Sequence, residues 1–408
     1  MTFLNRYIFA FSLATFLVSC NEAKQEPITA EENPTDVYIK EVQGEYVPDR
    51  RVARFDVTGE EYEGKFVLRG ETTNPEALAR LKEKLDSARI EYVDSIQVYP
   101  AKDLEGKTNA LVRISVANIR SNPKHSAELA TQATLGTPLK VLKKEGEWYL
   151  VQTPDKYLAW VDHGGVTLLS DEELKNWKAS EKVIFTEPFG QVYEQASENS
   201  GTVSDAVAGN IFELKGVKNG FFEVEYPDAR TGFIKTSEAE NYSDWLNHLE
   251  ASEENLVETS KKLMGLPYLW GGTSAKGVDC SGYTKTVFFM NGMIIPRDAS
   301  QQVQTGALVD DKKKFENLQP GDLLFFGTPA TDTTKEKVVH VGMWIGNNEF
   351  IHSSGRVHVS SVDSTATNFD EFNLNRYLRT KRLLGEEEDP NLLLLKQSEL
   401  FTASPSKG

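Results

Sequence analysis

Cysteine is scarce in this chain: two residues in 408, Cys20 and Cys280. A disulfide framework and a thiolate metal cage are both excluded. Basic excess is missing too. Lys and Arg number 45 against 61 Asp and Glu, a net charge of −16, so nothing is left over to neutralise the phosphates of a nucleic acid. Histidine is limited to six residues, and a reaction that needs an imidazole has few to draw on. Beyond the first twenty residues no run is long and apolar enough to span a bilayer. The length suits two to four domains, and neither a cofactor nor a metal is called for.

The start of the chain reads as an export signal over residues 1–20. Arg6 supplies the charged leader and YIFAFSLATFLV a short apolar stretch. Leu17-Val18-Ser19-Cys20 resembles a bacterial lipobox, which makes Cys20 the expected lipidation site. A plain signal peptide or an uncleaved anchor is the alternative. The lipidated reading gives an exported protein of the bacterial cell envelope that meets the membrane only through its lipid. An unpaired thiol in such a compartment needs a chemical reason.

Composition and pattern divide the rest. Residues 21–48, rich in Glu, Pro, Thr and Asn, read as a disordered tether. Residues 49–104 give two strands, a helix with Leu78, Leu81 and Leu85 at helical spacing, and a third strand: a small α+β module. Residues 105–170 and 171–246 rhyme. TPLKVLKKEGEWYLVQTPDKYLAWV and NIFELKGVKNGFFEVEYPDARTGFI each give a strand, a Gly turn, an aromatic strand, a Pro-Asp turn and a last strand. This repeat resembles a pair of bacterial SH3-like β-barrels. Residues 247–386 mix helices with a later run of strands, an α+β pattern. Residues 387–408 form a tail with one short helix expected around Leu392 to Leu395.

Cys280 stands in PYLWGGTSAKGVDCSGYTKT, at the start of a helical run through Tyr283, Val287 and Met290. A helix N-terminus favours a thiolate, the reactive form, so Cys280 is a candidate nucleophile. A buried free cysteine is the bland alternative. Asp279 suits a helix cap and equally an acceptor for a substrate amine. Among the histidines, His125, His163 and His248 lie in polar contexts. His340 lies in the apolar strand VVHVGMWIG, where an imidazole is costly without a partner. His352 follows in EFIHSS, and His358 reads as an exposed strand residue.

Residues 250–385 resemble the NlpC-type cysteine peptidases, a permuted papain-like fold. The matching pieces are Tyr268 to Gly272, Asp279-Cys-Ser-Gly282, Pro296-Arg-Asp-Ala299, PGDLLFF at 320–326, His340-Val-Gly342 and Ile351-His-Ser353. The resemblance implies Cys280 as nucleophile, His340 as general base, His352 as the third member and Tyr268 on the oxyanion side. With two barrels ahead of such a domain, it implies cleavage between γ-D-Glu and meso-diaminopimelate or L-Lys in peptidoglycan stem peptides. A free N-terminal L-Ala is expected to be required. Its pocket draws Glu128 and Tyr157 from the first barrel, and Trp270, Asp279, Ser281, Asp298 and Ser300 from the catalytic domain. The rival readings are a wall-binding lipoprotein with an inactive peptidase-like domain, and an amidase or acyltransferase on the same fold.

One geometric consequence follows. For His352 to orient His340, both rings must lie on one face of paired strands. A plain two-residue turn at Asn347-Asn348 sets His352 opposite Met343 and the rings on opposite faces. A three-residue or bulged hairpin is therefore predicted.

Overall fold

The computed structural model describes residues 33–402. The export signal and Cys20 lie outside the described residues. The tether expected over 21–48 is corrected in its second half: Pro34–Tyr46 is a helix, with the Asn33 side chain accepting from the Thr35 N–H. Ile39 and Val42, one turn apart, pack into a cluster with Phe55, Leu68, Leu81 and Leu85. Two apolar positions amid acidic neighbours are a thin signal, and the partner surface is what makes them a helix face.

The rest of the first module follows the sequence pattern. Strands Phe55–Tyr62 and Lys65–Thr72 pair antiparallel, and Lys65–Thr72 pairs parallel with Tyr92–Val98. The connecting helix, Pro75–Ser87, begins with proline at its first position and Asn74 as cap, and buries Leu78, Leu81 and Leu85.

Two seven-stranded sheets come next, spanning 109–169 and 182–241. Numbered along the chain, the strands of each lie in the spatial order 7-1-4-5-6-2-3. A helix at Asp171–Ala179, with a Ser170–Glu173 capping box, separates them.

The last unit is a six-stranded antiparallel sheet. Its order is Ala307–Asp310, Tyr377–Arg382, Leu323–Thr328, Lys337–Gly346, Glu349–Ser354 and Arg356–Ser361. Helix Cys280–Phe289 packs across the fourth and fifth of these and is buried along most of its length. Pro320-Gly321-Asp322 is a turn into the third strand: buried Asp322 accepts from the Gln319 N–H and two nitrogens of Arg382.

The tail does not form the expected helix at Leu392 to Leu395. Leu393–Leu394 pairs with Met293–Ile294, a single 3-10 turn follows at Leu395–Gln397, and Phe401 is buried against Tyr242 and Phe289. Burial of Leu395 and Phe401 outweighs the local helical preference of the leucine run.

Candidate active site

The site begins with the helix that carries Cys280. Asp279 caps it, accepting from the Gly282 N–H at 2.7 Å. Its carboxylate also takes the Gly271 N–H at 2.9 Å and the Arg297 guanidinium at 2.6 and 3.2 Å. Ser281 Oγ adds a fifth donor at 3.3 Å, and accepts in turn from Arg297 at 3.0 Å. A carboxylate offers about four lone-pair directions, so Asp279 is saturated. Of its two sequence readings, the cap is in place. Ser281 is equally enclosed, and its hydroxyl belongs to the same Asp279–Arg297 network. Arg297, only 2% exposed, is the residue the motif contained but whose role sequence reasoning missed. It compensates Asp279 inside the protein, and neither charge would be tolerated there alone.

Cys280 is 7% exposed and lies in the apolar cluster of the catalytic unit. Burial, then the Asp279 charge, pushes its pKa up to about 11, although backbone N–H groups of Val341 and Ser281 and the Arg297 charge oppose the rise. The helix N-terminus therefore does not leave a resting thiolate. Desolvation wins.

The two histidines lie on the strands packed against its helix. His340 Nε2 lies 2.8 Å from His352 Nδ1, and His352 Nε2 lies 2.9 Å from Ser360 Oγ. His352 is fully buried, and Asp370 Oδ2 stands 3.9 Å from its Nε2. Burial is the first cause in both rings and lowers His340 to about 3 and His352 to about 2. At neutral pH both are uncharged. The tautomers are then linked, and two sets satisfy the chain: the one suited to a base has Nε2–H of His340 donating to His352 Nδ1 and Nε2–H of His352 donating to Ser360. In that set His340 Nδ1 carries a lone pair.

The hairpin that brings the rings together is bulged, as predicted. Asn347 and Asn348 have φ of 52° and 61°, the signature of a two-residue hairpin turn. Trp344 pairs with Phe350 and Gly346 with Glu349, so Ile345 is the extra residue. Met343 then stands opposite Ile351, which puts His352 beside Gly342. A Cβ on Gly342 would come within 2.7 Å of Phe350 and 3.2 Å of the His352 Cβ. His358 differs from expectation. It is half-buried, directly opposite His352, with ring centroids 4.4 Å apart.

The first barrel closes one side. Glu128 Oε1 accepts from Trp270 Nε1 at 2.5 Å, and Trp270 is 64% exposed at the rim. Gln132 exchanges hydrogen bonds with Thr273 and Ser274 at 2.9–3.2 Å. Gly271, at φ +81°, permits this approach: a Cβ there would sit 2.1 Å from the Leu129 carbonyl oxygen. Tyr157 donates to Asp298 at 3.2 Å, and Asp298 and Ser300 both accept from Arg51 at 2.8 Å. Tyr268 is half-buried, and burial, then the Cys280 and Asp279 charges, raises its hydroxyl to about 12. The structure thus gathers Cys280, His340 and His352 on packed elements and sets Tyr268 beside Cys280. Glu128, Tyr157, Trp270, Asp298 and Ser300 lie along the contact with the first barrel.

Family models agree with this architecture. The NlpC/P60 family model matches residues 265–374, and the bacterial SH3 domain model matches 115–167. A γ-D-glutamyl-L-lysine dipeptidyl-peptidase of Bacillus cereus is 32% identical over 234 residues, 55% of this chain and 67% of the relative. The chain belongs to the NlpC/P60 family. It is a cysteine peptidase, a hydrolase of peptide bonds. Dipeptidyl-peptidase 6 of Lysinibacillus sphaericus is 27% identical, with 62% of this chain and 92% of that protein covered. Among solved structures, an NlpC/P60 family protein from Bacillus cereus superposes with a TM-score of 0.57 at 26% identity, covering 68% of this chain and 99% of that one. The relatives' names state a γ-D-glutamyl-L-lysine specificity for those proteins, and this chain is a multidomain peptidase of the NlpC/P60 family.

Proposed function

We propose that the protein hydrolyses the γ-D-glutamyl–L-diamino-acid bond of peptidoglycan stem peptides, with meso-diaminopimelate or L-Lys after the bond and a free L-Ala before it. The carrying observation is the His340–His352–Ser360 chain on the strands packed against Cys280. In this reading His340 Nδ1 takes the thiol proton as sulfur attacks the glutamyl carbonyl, because both groups rest neutral. The tetrahedral oxyanion meets the Cys280 backbone N–H and Tyr268. The leaving diamino-acid amine receives the proton from His340, and water then resolves the thioester by the same base. His352 fixes the imidazole and takes no proton.

The substrate amine belongs at the contact between barrel and catalytic unit, where Asp298, Tyr157 and Glu128 offer carboxylates and an aromatic wall. A free terminus would make charge-assisted bonds there that an amide cannot. We read the catalytic unit as the permuted papain-like fold, the second seven-stranded sheet as a second SH3-like barrel, and Cys20 as a lipid anchor in the cell envelope. Released wall peptides, with free L-Ala, are then substrates, and lactyl-linked intact wall is not. The deciding experiment feeds purified protein L-Ala-γ-D-Glu-L-Lys, its diaminopimelate analogue, and the N-acetylated forms. Release of L-Ala-γ-D-Glu and free diamino acid from the unblocked peptides supports the reading. Equal rates on blocked peptides, or efficient digestion of sacculi, defeat it.

A further inference from the structure

The N-terminal module, which precedes both matched family domains, reaches Asp298 and Ser300 through Arg51. Arg51 makes a two-pronged pair with Asp49, Nε and Nη2 each 2.8 Å from a carboxylate oxygen. Its remaining nitrogen, Nη1, bridges Asp298 Oδ2 and Ser300 Oγ, both at 2.8 Å. The loop is fixed from three directions. Leu158 N–H donates to the Arg51 carbonyl at 2.7 Å, Gln152 Nε2 to the Val52 carbonyl at 2.9 Å, and Gln301 Nε2 to Asp49 at 2.8 Å. First module, first barrel and catalytic unit therefore meet at this loop.

The charge balance decides what that contact does. Asp49 offsets Arg51 within the same loop. Burial disfavours the Asp49 charge, but the hydrogen bonds from Arg51 and Gln301 outweigh it and hold the carboxyl below its ordinary value. Asp49, Arg51 and Asp298 together keep one net negative charge, the same as Asp298 alone. The cluster is left with one charge to offer one cation. A guanidinium fork is planar and rigid, so it fixes the two oxygens it bridges without neutralising the site.

We propose that Arg51, with Asp49 as its internal counter-ion, is a positioning residue that sets Asp298 and Ser300 to receive the substrate's terminal ammonium. This rests on the amine subsite of the reading above. The first module would then be part of the specificity apparatus and not merely a spacer.

The test uses the full exported chain with L-Ala-γ-D-Glu-L-Lys and its N-acetyl form. Wild type is expected to prefer the free amine at least tenfold. Arg51→Ala should raise KM for the free-amine peptide about tenfold with kcat within twofold, and bring the preference close to one. Arg51→Lys keeps the charge but not the fork, and should recover part of it. Asp49→Asn leaves the Arg51 charge unbalanced beside Asp298, and should raise KM as well. These two conservative variants carry the test if Arg51→Ala does not fold. A wild type that prefers free amine, with Arg51→Ala keeping that preference, overturns the role of Arg51 alone. A gain of activity in Arg51→Ala overturns it too, since the arginine would then be an obstruction. A wild type without preference removes the amine subsite and this inference with it.

Discussion

The two seven-stranded sheets share a strand order, yet only the first supplies side chains along the predicted amine site. The comparison is sharpest at one turn. Thr153-Pro-Asp-Lys156 and Tyr226-Pro-Asp-Ala229 have the same backbone: Lys156 and Ala229 both have positive φ, 67° and 65°. Each donates its N–H to the first residue of the turn, at 2.8 and 3.0 Å. The next residue differs. In the first barrel it is Tyr157, which donates to Asp298. In the second it is Arg230, which lies over the Tyr226 ring and donates to the Arg113 carbonyl at 2.7 Å. One copy of the turn serves the cleft and the other ties the two sheets together. The fold repeats, but the use of a position does not.

Four measurements break or sharpen that contrast. Cys280→Ala sets the floor against which barrel contributions are read: loss of the nucleophile should cost on the order of a million-fold in kcat with the fold retained. Hydrolysis near the wild-type rate would show that the chemistry lies elsewhere. Gly271→Ala attacks the seam itself. A Cβ there meets the Leu129 carbonyl in a left-handed backbone, and strain of about 2–4 kcal/mol should lower kcat/KM roughly a hundredfold. Unchanged kinetics would mean the first barrel does not shape the cleft.

The matched turns come third. Tyr157→Phe removes a bond to a carboxylate and should lose about tenfold in kcat/KM on free-amine peptide. Arg230→Ala should leave the preference for a free amine intact and lower thermal stability instead. If both variants lose that preference alike, the asymmetry between the two sheets is wrong. The smallest effect is a pH slope. His340 and His352 are held at about 3 and 2 against an ordinary 6.5, so from pH 6.5 down the unfolded chain binds protons the folded one refuses. Stability is then full above pH 6.5 and falls with acidification, by a few degrees in Tm between pH 7 and 5. His352→Gln should flatten the slope.

Much of this was legible in the sequence. The helix from Pro75, the helix from Cys280 and the strands around His340 and His352 follow from periodicity and caps. The hairpin bulge followed from requiring two rings on one face. The misses share a cause. Asp279 and Arg297 are a pair 18 positions apart, and which of them is free cannot be read until their partners are known. Ser360 and His358 are decided by strand pairing, Arg51 by the docking of a module nearly 250 residues away in sequence from Asp298. The helix at 34–46 and the anchoring of Phe401 depend on surfaces supplied by other segments.

The extra residue at Ile345 has a consequence for how such a chain can vary. Deleting it would leave Cys280, His340 and His352 in place in the text of the gene while turning one histidine to the far side of its sheet. Changes of two residues in that loop keep the rings together, and changes of one separate them. Two relatives could therefore carry an identical set of catalytic letters, one working and one inert, distinguished only by whether a loop length is odd or even.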